Sequence, residues 1–404
     1  MPIESSRDPN FAIGAEAFRD DLPTECDILV VGAGPAGLCA AITAKESGAS
    51  SVVLLDGRDP WREPVPCAEG VRETAFLKWS PIDPIPWKRQ QITGCIFGTD
   101  GASFRWESPE NAGWIVDRSG FHAGLAARCR ELGVACHFRS RVQSVGPLDM
   151  DGFRQVRAGE DGSRIVKARR IIDASGPGSS IGRDEGMALG KDDLETAAFA
   201  LVEGLAQPVD AIQLWLHPSY SPGGYAWIFP RDERVANVGV VVGRGASISS
   251  RKGLEIFLET LSAGSSKTAQ IRGGAIPNGF GGGIIAQRGI FKAGDAAGMV
   301  NAISRGGIVE SLCAGRLAGI HAVASLSLPV DADREEKSYR RDWMREFGNG
   351  QRWASRAKRW VHRIPVKAMQ STFRRLAKEP NGHVTWPKAG RVLLEALLGS
   401  LLRR

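Results

Sequence analysis

Apolar residues along the chain follow three rhythms. Short runs at Ile28–Val31, Val52–Leu55 and Ile290–Ala293 have the length of strands, the first two continuously apolar as in a buried parallel sheet. An alternation of period two, Tyr225, Trp227 and Phe229, puts three rings on one face of an extended segment. Gly223 and Gly224 precede it, and Pro230 ends it. Beyond residue 330 the spacing becomes helical. Trp343, Trp353 and Trp360 lie among arginines and lysines in amphipathic patterns, and Leu393, Leu394, Leu397, Leu398 and Leu401 make an apolar stripe on a last helix. No run of eighteen apolar residues exists to span a membrane. Residues 1–22 carry acids where an export signal carries bases, which predicts a flexible extension and a cytoplasmic protein.

The first strand leads into chemistry. After Ile28–Val31 come Gly32, Gly34 and Gly37 in G-x-G-x-x-G, then an alanine-rich helix pattern that Gly48 ends. The second strand stops at Asp56. Gly32 suits a tight turn, Gly34 lets backbone approach a pyrophosphate, and Gly37 lets helix pack on strand. The helix start offers free N–H groups to phosphates, and Asp56 would accept from an adenosine ribose. A dinucleotide site follows, with NAD and FAD not yet separated.

A second segment separates them. "GIFKAGDAAGMVNAISRGGIVESLCAGRLAGIHAVASL" reads as a strand, then Gly294-Asp295, a loop, Gly306-Gly307 and a long helix with small residues at packing positions. It resembles the second FAD signature of flavoproteins built like para-hydroxybenzoate hydroxylase. The resemblance implies that Asp295 holds the ribityl chain and that the helix points its positive end at the flavin pyrimidine. "RIIDASGPGSSIGR" stands where that class has a third element, with Ser175 in place of the usual aspartate. No second G-x-G-x-x-G lies between a strand and a helix, so no dedicated NAD(P)H domain is expected. The electron donor is NADPH or a reduced ferredoxin-like carrier.

The resemblance narrows at "PVPCAEGV", at "VDRSGFHAGLAARCRELGV" and at Y-x-W-x-F-P, which together are similar to the geranylgeranyl reductase family. His122 and Arg305 depart from the residues common there. The similarity runs from about Cys26 to Leu328 and implies hydride transfer from reduced flavin to C=C bonds of an isoprenoid chain, possibly lipid-linked. It places Ala36, Asp56, Cys67, Ala68, Gly70, Arg118, Val142, Asp295, Gly307 and Ile308 on FAD. Cys67 would position flavin or substrate, or pass the proton that alkene reduction needs, with Tyr225 the second candidate. Glu69 is either a loop-stabilising carboxylate or a participant. A polyprenyl chain has nothing to hydrogen-bond, so Tyr225, Trp227 and Phe229 would grip it by apolar contact. The other reading of the three rings is a filler between domains. Arg305 either holds an anionic substrate or reduced flavin, or serves as a plain salt-bridge partner. The fold hosts other chemistry too, and the alternative is an FAD-dependent hydroxylase or halogenase-like enzyme on an aromatic or peptide substrate.

The expected class is mixed α/β. A discontinuous Rossmann-like FAD domain takes 23–80, 110–195 and 284–330, and an antiparallel substrate sheet takes 81–109 and 196–283. A basic helical region takes 331–404. Charge is uneven: the chain carries +7, while residues 334–404 hold 18 Lys/Arg against 6 Asp/Glu. That tail suits an anionic membrane surface, or caps the substrate domain with solvated basic faces. Nothing suggests nucleic acid. Seven cysteines without a CxxC pair read as reduced thiols, and scattered histidines suggest no metal. Oligomeric state is left open.

Overall fold

The computed structural model describes residues 22–59, 66–107, 112–261, 267–327, 329–361, 364–378, 391–392 and 395. All but Leu22 of the expected N-terminal extension, and the five leucines of the terminal stripe, lie outside the described residues. Eight α-helices are described: α1 (Pro35–Glu46), α2 (Glu73–Trp79), α3 (Arg118–Glu131), α4 (Ser250–Leu261), α5 (Ile308–Ala324), α6 (Pro329–Trp343), α7 (Asn349–Val361) and α8 (Val366–Leu376).

The fold is mixed α/β. One sheet has a parallel core in the order Ile290–Lys292, Arg164–Asp173, Glu25–Val31, Val52–Leu55, Ala135–His137. Its strands are apolar on both faces because both are covered. Ile28, Val30 and Leu54 face α1, α3 and α5, while Leu29, Val53 and Leu55 face a second cluster around Ile171 and Val156. Small residues let the helices approach closely. A Cβ on Gly315 of α5 would overlap the Ala36 carbonyl of α1. Strand Val142–Leu148 sits in an antiparallel arm of this sheet, paired with Arg154–Ala158.

The second sheet is largely antiparallel and draws on strands from 94–107 and 194–277. Its two faces differ. Ala226, Ile228, Val238 and Val240 pack dry against Leu254 and Phe257 of α4. Tyr225, Trp227 and Phe229 point the other way with Phe199 and Ile276. Gly239 stands opposite Trp227, and only a residue without Cβ leaves room there for the indole. A three-stranded sheet, Gly70–Arg72, Gly113–Val116 and Lys88–Ile92, lies beside these two.

The C-terminal helices do more than cap. Trp343, expected on an amphipathic surface, is fully buried, stacks on Phe347 at 5.7 Å and meets Phe280 edge-on at 5.8 Å. It belongs to the core of the first sheet's helical layer. Between α6 and α7 the chain makes a π-helical turn, Met344–Gly348, and Phe347 on that turn reaches the central cavity. On α7, Trp353 and Trp360 remain 69% and 72% exposed.

Candidate active site

The ends of the first sheet and the inner face of the second enclose one cavity of about 880 Å³. Its nucleotide end is made of main chain. Gly32 takes φ +101° where the first strand turns, and a Cβ there would strike Ala174. Gly34 caps α1 without a side-chain hydrogen bond, and a Cβ on it would meet no protein atom within 4 Å. The open space over Gly34 and the uncapped N–H groups of α1 form a cradle that fits a pyrophosphate. Gly37 lies outside the cavity. It packs α1 onto the turn, where a Cβ would overlap the Gly32 carbonyl oxygen. The Asp56 carboxylate accepts from the N–H groups of Ala33 (2.6 Å) and Arg58 (2.7 Å), which fixes it at the cavity edge.

In the middle, Gly307 caps α5 without a side chain, so the first N–H groups of a seventeen-residue helix face the cavity beside Ile308. Asp295 lines the same region, and burial pushes its carboxyl up to about 6, with Arg118 pulling the other way. Gly294, at φ +65°, sits behind it against Ser311 and Ala36. Ser175 also lines the cavity, but its hydroxyl turns back to donate to Asp173 at 2.6 Å. Asp173 pairs with Lys292 at 2.8 Å, and both are completely buried. These residues fit FAD. Its phosphates would lie at α1 and its ribityl chain at Asp295.

Cys67 lines the cavity opposite the aromatic wall. Its Sγ accepts from Arg118 Nη1 (3.1 Å) and from the Glu69 N–H (3.2 Å), and its carbonyl accepts from Asn237 Nδ2 (2.7 Å). Asn237 Oδ1 in turn accepts from Trp227 Nε1 at 2.9 Å. Arg118 Nε donates to His122 Nε2 at 2.9 Å. One hydrogen-bonded line thus runs from the aromatic wall through Cys67 to α3. Asp117 caps α3 by accepting from the Gly120 N–H, which sets Arg118 in the first turn. Glu69 holds φ +67° and ion-pairs with Arg231 at 2.7 Å; burial raises its carboxyl, with Arg231 opposing.

The aromatic wall faces this group. Tyr225 and Trp227 meet edge-on at 6.3 Å, and with Phe229, Phe199, Ile276 and Ala68 they make the cavity's apolar side. The Tyr225 hydroxyl donates to the Ser304 carbonyl at 2.5 Å, and burial pushes it up to about 12. Tyr225 therefore ties the wall to the 300–307 loop.

Two expectations change. Val142 does not line the cavity; it packs beneath the first sheet with Val145 and Ala135. Its strand belongs to the antiparallel arm, away from the switch point where the ligand site forms. Arg305 lines the cavity, but its donors point into the protein. They reach Glu195 (3.1 Å), the Ile303 carbonyl (2.8 Å) and the Gly223 carbonyl (3.2 Å), with the guanidinium 5.2 Å over the Tyr225 ring. The salt-bridge reading describes it, and the substrate-anion reading does not.

The residues that hold Arg305 were not legible. Glu195 also accepts from Lys358 Nζ of α7 at 2.6 Å, and Lys358 donates to Asn278 Oδ1 at 2.7 Å. Glu195 is thus buried between two cations from distant segments. Burial pulls Lys358 down to about 8, with Arg305 adding to the effect and Glu195 opposing it. Glu310, in the first turn of α5, lines the cavity near Arg72, and burial pushes its carboxyl up to about 7. Asn237 alone carried a signal, a lone amide within the apolar run "VANVGVVV".

Comparison with known proteins places this geometry. Residues 193–276 match the model of the geranylgeranyl reductase catalytic domain, and residues 27–83 match that of an FAD binding domain. The chain is 31% identical to a digeranylgeranylglycerophospholipid reductase of Methanosarcina mazei, covering 80% of this chain and 81% of that one. It is 32% identical to digeranylgeranylglycerophospholipid reductase 1 of Methanopyrus kandleri, covering 80% and 87%. Among solved structures it is similar to a geranylgeranyl bacteriochlorophyll reductase-like protein of Thermoplasma acidophilum. There the TM-score is 0.79 and identity 21%, over 92% of this chain and 96% of that one.

Proposed function

The chain belongs to the geranylgeranyl reductase family of FAD-dependent oxidoreductases, and from that premise we propose that it saturates C=C bonds of an isoprenoid chain carried on a phospholipid-like precursor. FAD, when bound and reduced, supplies the hydride. The chain's own residues do the rest. The observation that carries this reading is the apolar wall of Tyr225, Trp227 and Phe229 opposite Cys67 in the cavity that fits FAD. A hydrocarbon chain is held there by contact area alone, and the same contact excludes water.

Hydride addition to one carbon leaves the other needing a proton. Cys67 faces the cavity and is the better-placed donor, because the Tyr225 hydroxyl already donates to Ser304. The electron donor is NADPH or a small reduced protein carrier. Anaerobic bleaching of the flavin by NADPH alone selects the first, and its absence selects the second. Substrate class is tested by mass spectrometry of a geranylgeranyl phospholipid incubated anaerobically with dithionite-reduced enzyme. The reading expects a gain of H₂ per double bond. A product that needs oxygen and gains an oxygen atom overturns it in favour of a hydroxylase. Full turnover by FAD-loaded Cys67→Ser removes the proton-donor role.

The described residues contain no helix long and apolar enough to cross a membrane. Access to a lipid substrate then falls to the outer face of α7, where exposed Trp353 and Trp360 flank exposed Arg356. This face suits the interface of an anionic bilayer. Trp353→Ser/Trp360→Ser should lose flotation with phosphatidylglycerol vesicles; unchanged flotation rejects the contact.

A further inference from the structure

We infer that His122 is a positioning residue for Cys67, acting through Arg118. The inference rests on the reading that Cys67 serves the reaction, and its test is built to survive the failure of that reading.

The donor chemistry fixes the arrangement. A guanidinium has only hydrogens to give, so Arg118 Nε–H at 2.9 Å from His122 Nε2 makes that nitrogen the acceptor. The imidazole proton therefore sits on Nδ1, and the ring is neutral. Nδ1 is buried and has no hydrogen-bond partner among the described residues, while His122 as a whole is 1% exposed. Burial, then the charge of Arg118, holds the ring well below its ordinary value, in the same direction as the hydrogen bond. A ring with one nitrogen engaged and the other without an acceptor has no route to shuttle protons. What remains is placement.

The placement is specific. Arg118 is a planar fork. Fixing Nε fixes the plane, and the plane sets Nη1 at 3.1 Å from Cys67 Sγ. The other side of the sulfur is held by the Glu69 N–H at 3.2 Å. A carboxylate at 122 would accept the same bond but cancel the guanidinium charge. Neutral imidazole accepts it and leaves the charge facing the thiol. Without His122 the long Arg118 side chain has rotamers to explore, and Sγ loses one of its two donors.

The test uses the FAD-loaded enzyme and two readouts. One is the rate of Cys67 alkylation by iodoacetamide at fixed pH, read by peptide mass spectrometry against the wild-type enzyme. The other is kcat and KM separately. His122→Leu should change the rate of Cys67 alkylation about fivefold against the wild-type enzyme, because the freed Arg118 side chain no longer holds Sγ in one place. It should lower kcat about tenfold with KM nearly unchanged, as misplacing a reacting group does. His122→Gln places Oε1 where Nε2 sits and should restore both, while the shorter His122→Asn should not. If His122→Leu does not fold, the Gln-against-Asn contrast carries the test. Unchanged Cys67 alkylation in folded His122→Leu, or equal behaviour of Gln and Asn, overturns the inference. If Cys67→Ala keeps turnover, the proton-donor reading falls alone, and the alkylation contrast still reports on positioning.

Discussion

The two ends of the cavity are built from different materials. At the nucleotide end, main chain does the work: Gly32, Gly34 and Gly37, and the uncapped start of α1. At the aromatic end, side chains do it. Trp227, Asn237, Cys67, Arg118 and His122 form one hydrogen-bonded line, while Arg305, Glu195 and Lys358 form a buried charge cluster. The first end depends on local chain geometry and has no room for a Cβ at Gly32 or Gly37. The second depends on partners far away in sequence and fails when one of them is removed.

Breaking the main-chain end should have the largest effect. Gly37→Val forces methyl groups against the Gly32 carbonyl, and no soluble protein with flavin absorbance should be recovered. Glu195→Gln breaks the side-chain end by leaving Arg305 and Lys358 buried without their counter-charge. It should cost about 3–5 kcal/mol in urea unfolding, and Glu195→Leu/Lys358→Met should recover part of that. A smaller effect sharpens the contrast through pH. The Glu310 carboxyl is raised from 4.5 to about 7 by burial, with Arg72 partly offsetting it. Below 4.5 it is protonated both folded and unfolded, and no penalty exists. As pH rises to about 7 the unfolded chain ionises first, so the apo protein loses stability across that window. Glu310→Gln should flatten this part of the profile of melting temperature against pH, by up to about 3 kcal/mol. The smallest effect is expected for Tyr225→Phe, which loses one hydrogen bond to Ser304, about 1 kcal/mol. If Tyr225→Phe costs as much as Glu195→Gln, the 300–307 loop hangs on the hydroxyl rather than on the charge cluster.

The same division explains what could be read from sequence. Gly32, Gly34, Gly37 and Asp56 act within one strand–helix–strand unit, so their spacing carries their meaning. The period-two aromatics also declared themselves, since a strand's two faces follow from alternation alone, and the structure turns them to the cavity. Arg305 was ambiguous because its fate is decided by Glu195, 110 residues away. Lys358 stood in a basic amphipathic stretch among residues such as Arg352 and Arg356, and nothing local marked it as the one that turns inward. The resemblance sets Val142 on FAD by position alone, and its strand lies in the arm rather than at the site. Trp343 and Trp353 share a composition and differ only in which helix face meets the core.

The position of Lys358 has a consequence for how the protein is made. The ribosome delivers the glycine turn and the first strands early, and it delivers α7 after every other member of the charge cluster. During that interval Glu195 and Arg305 are already present, but the second cation that encloses the carboxylate is not. A nascent chain can thus hold the glycine turn of the nucleotide cradle while Glu195 still lacks its second cation. The charge cluster around Glu195 therefore closes only once α7 has emerged.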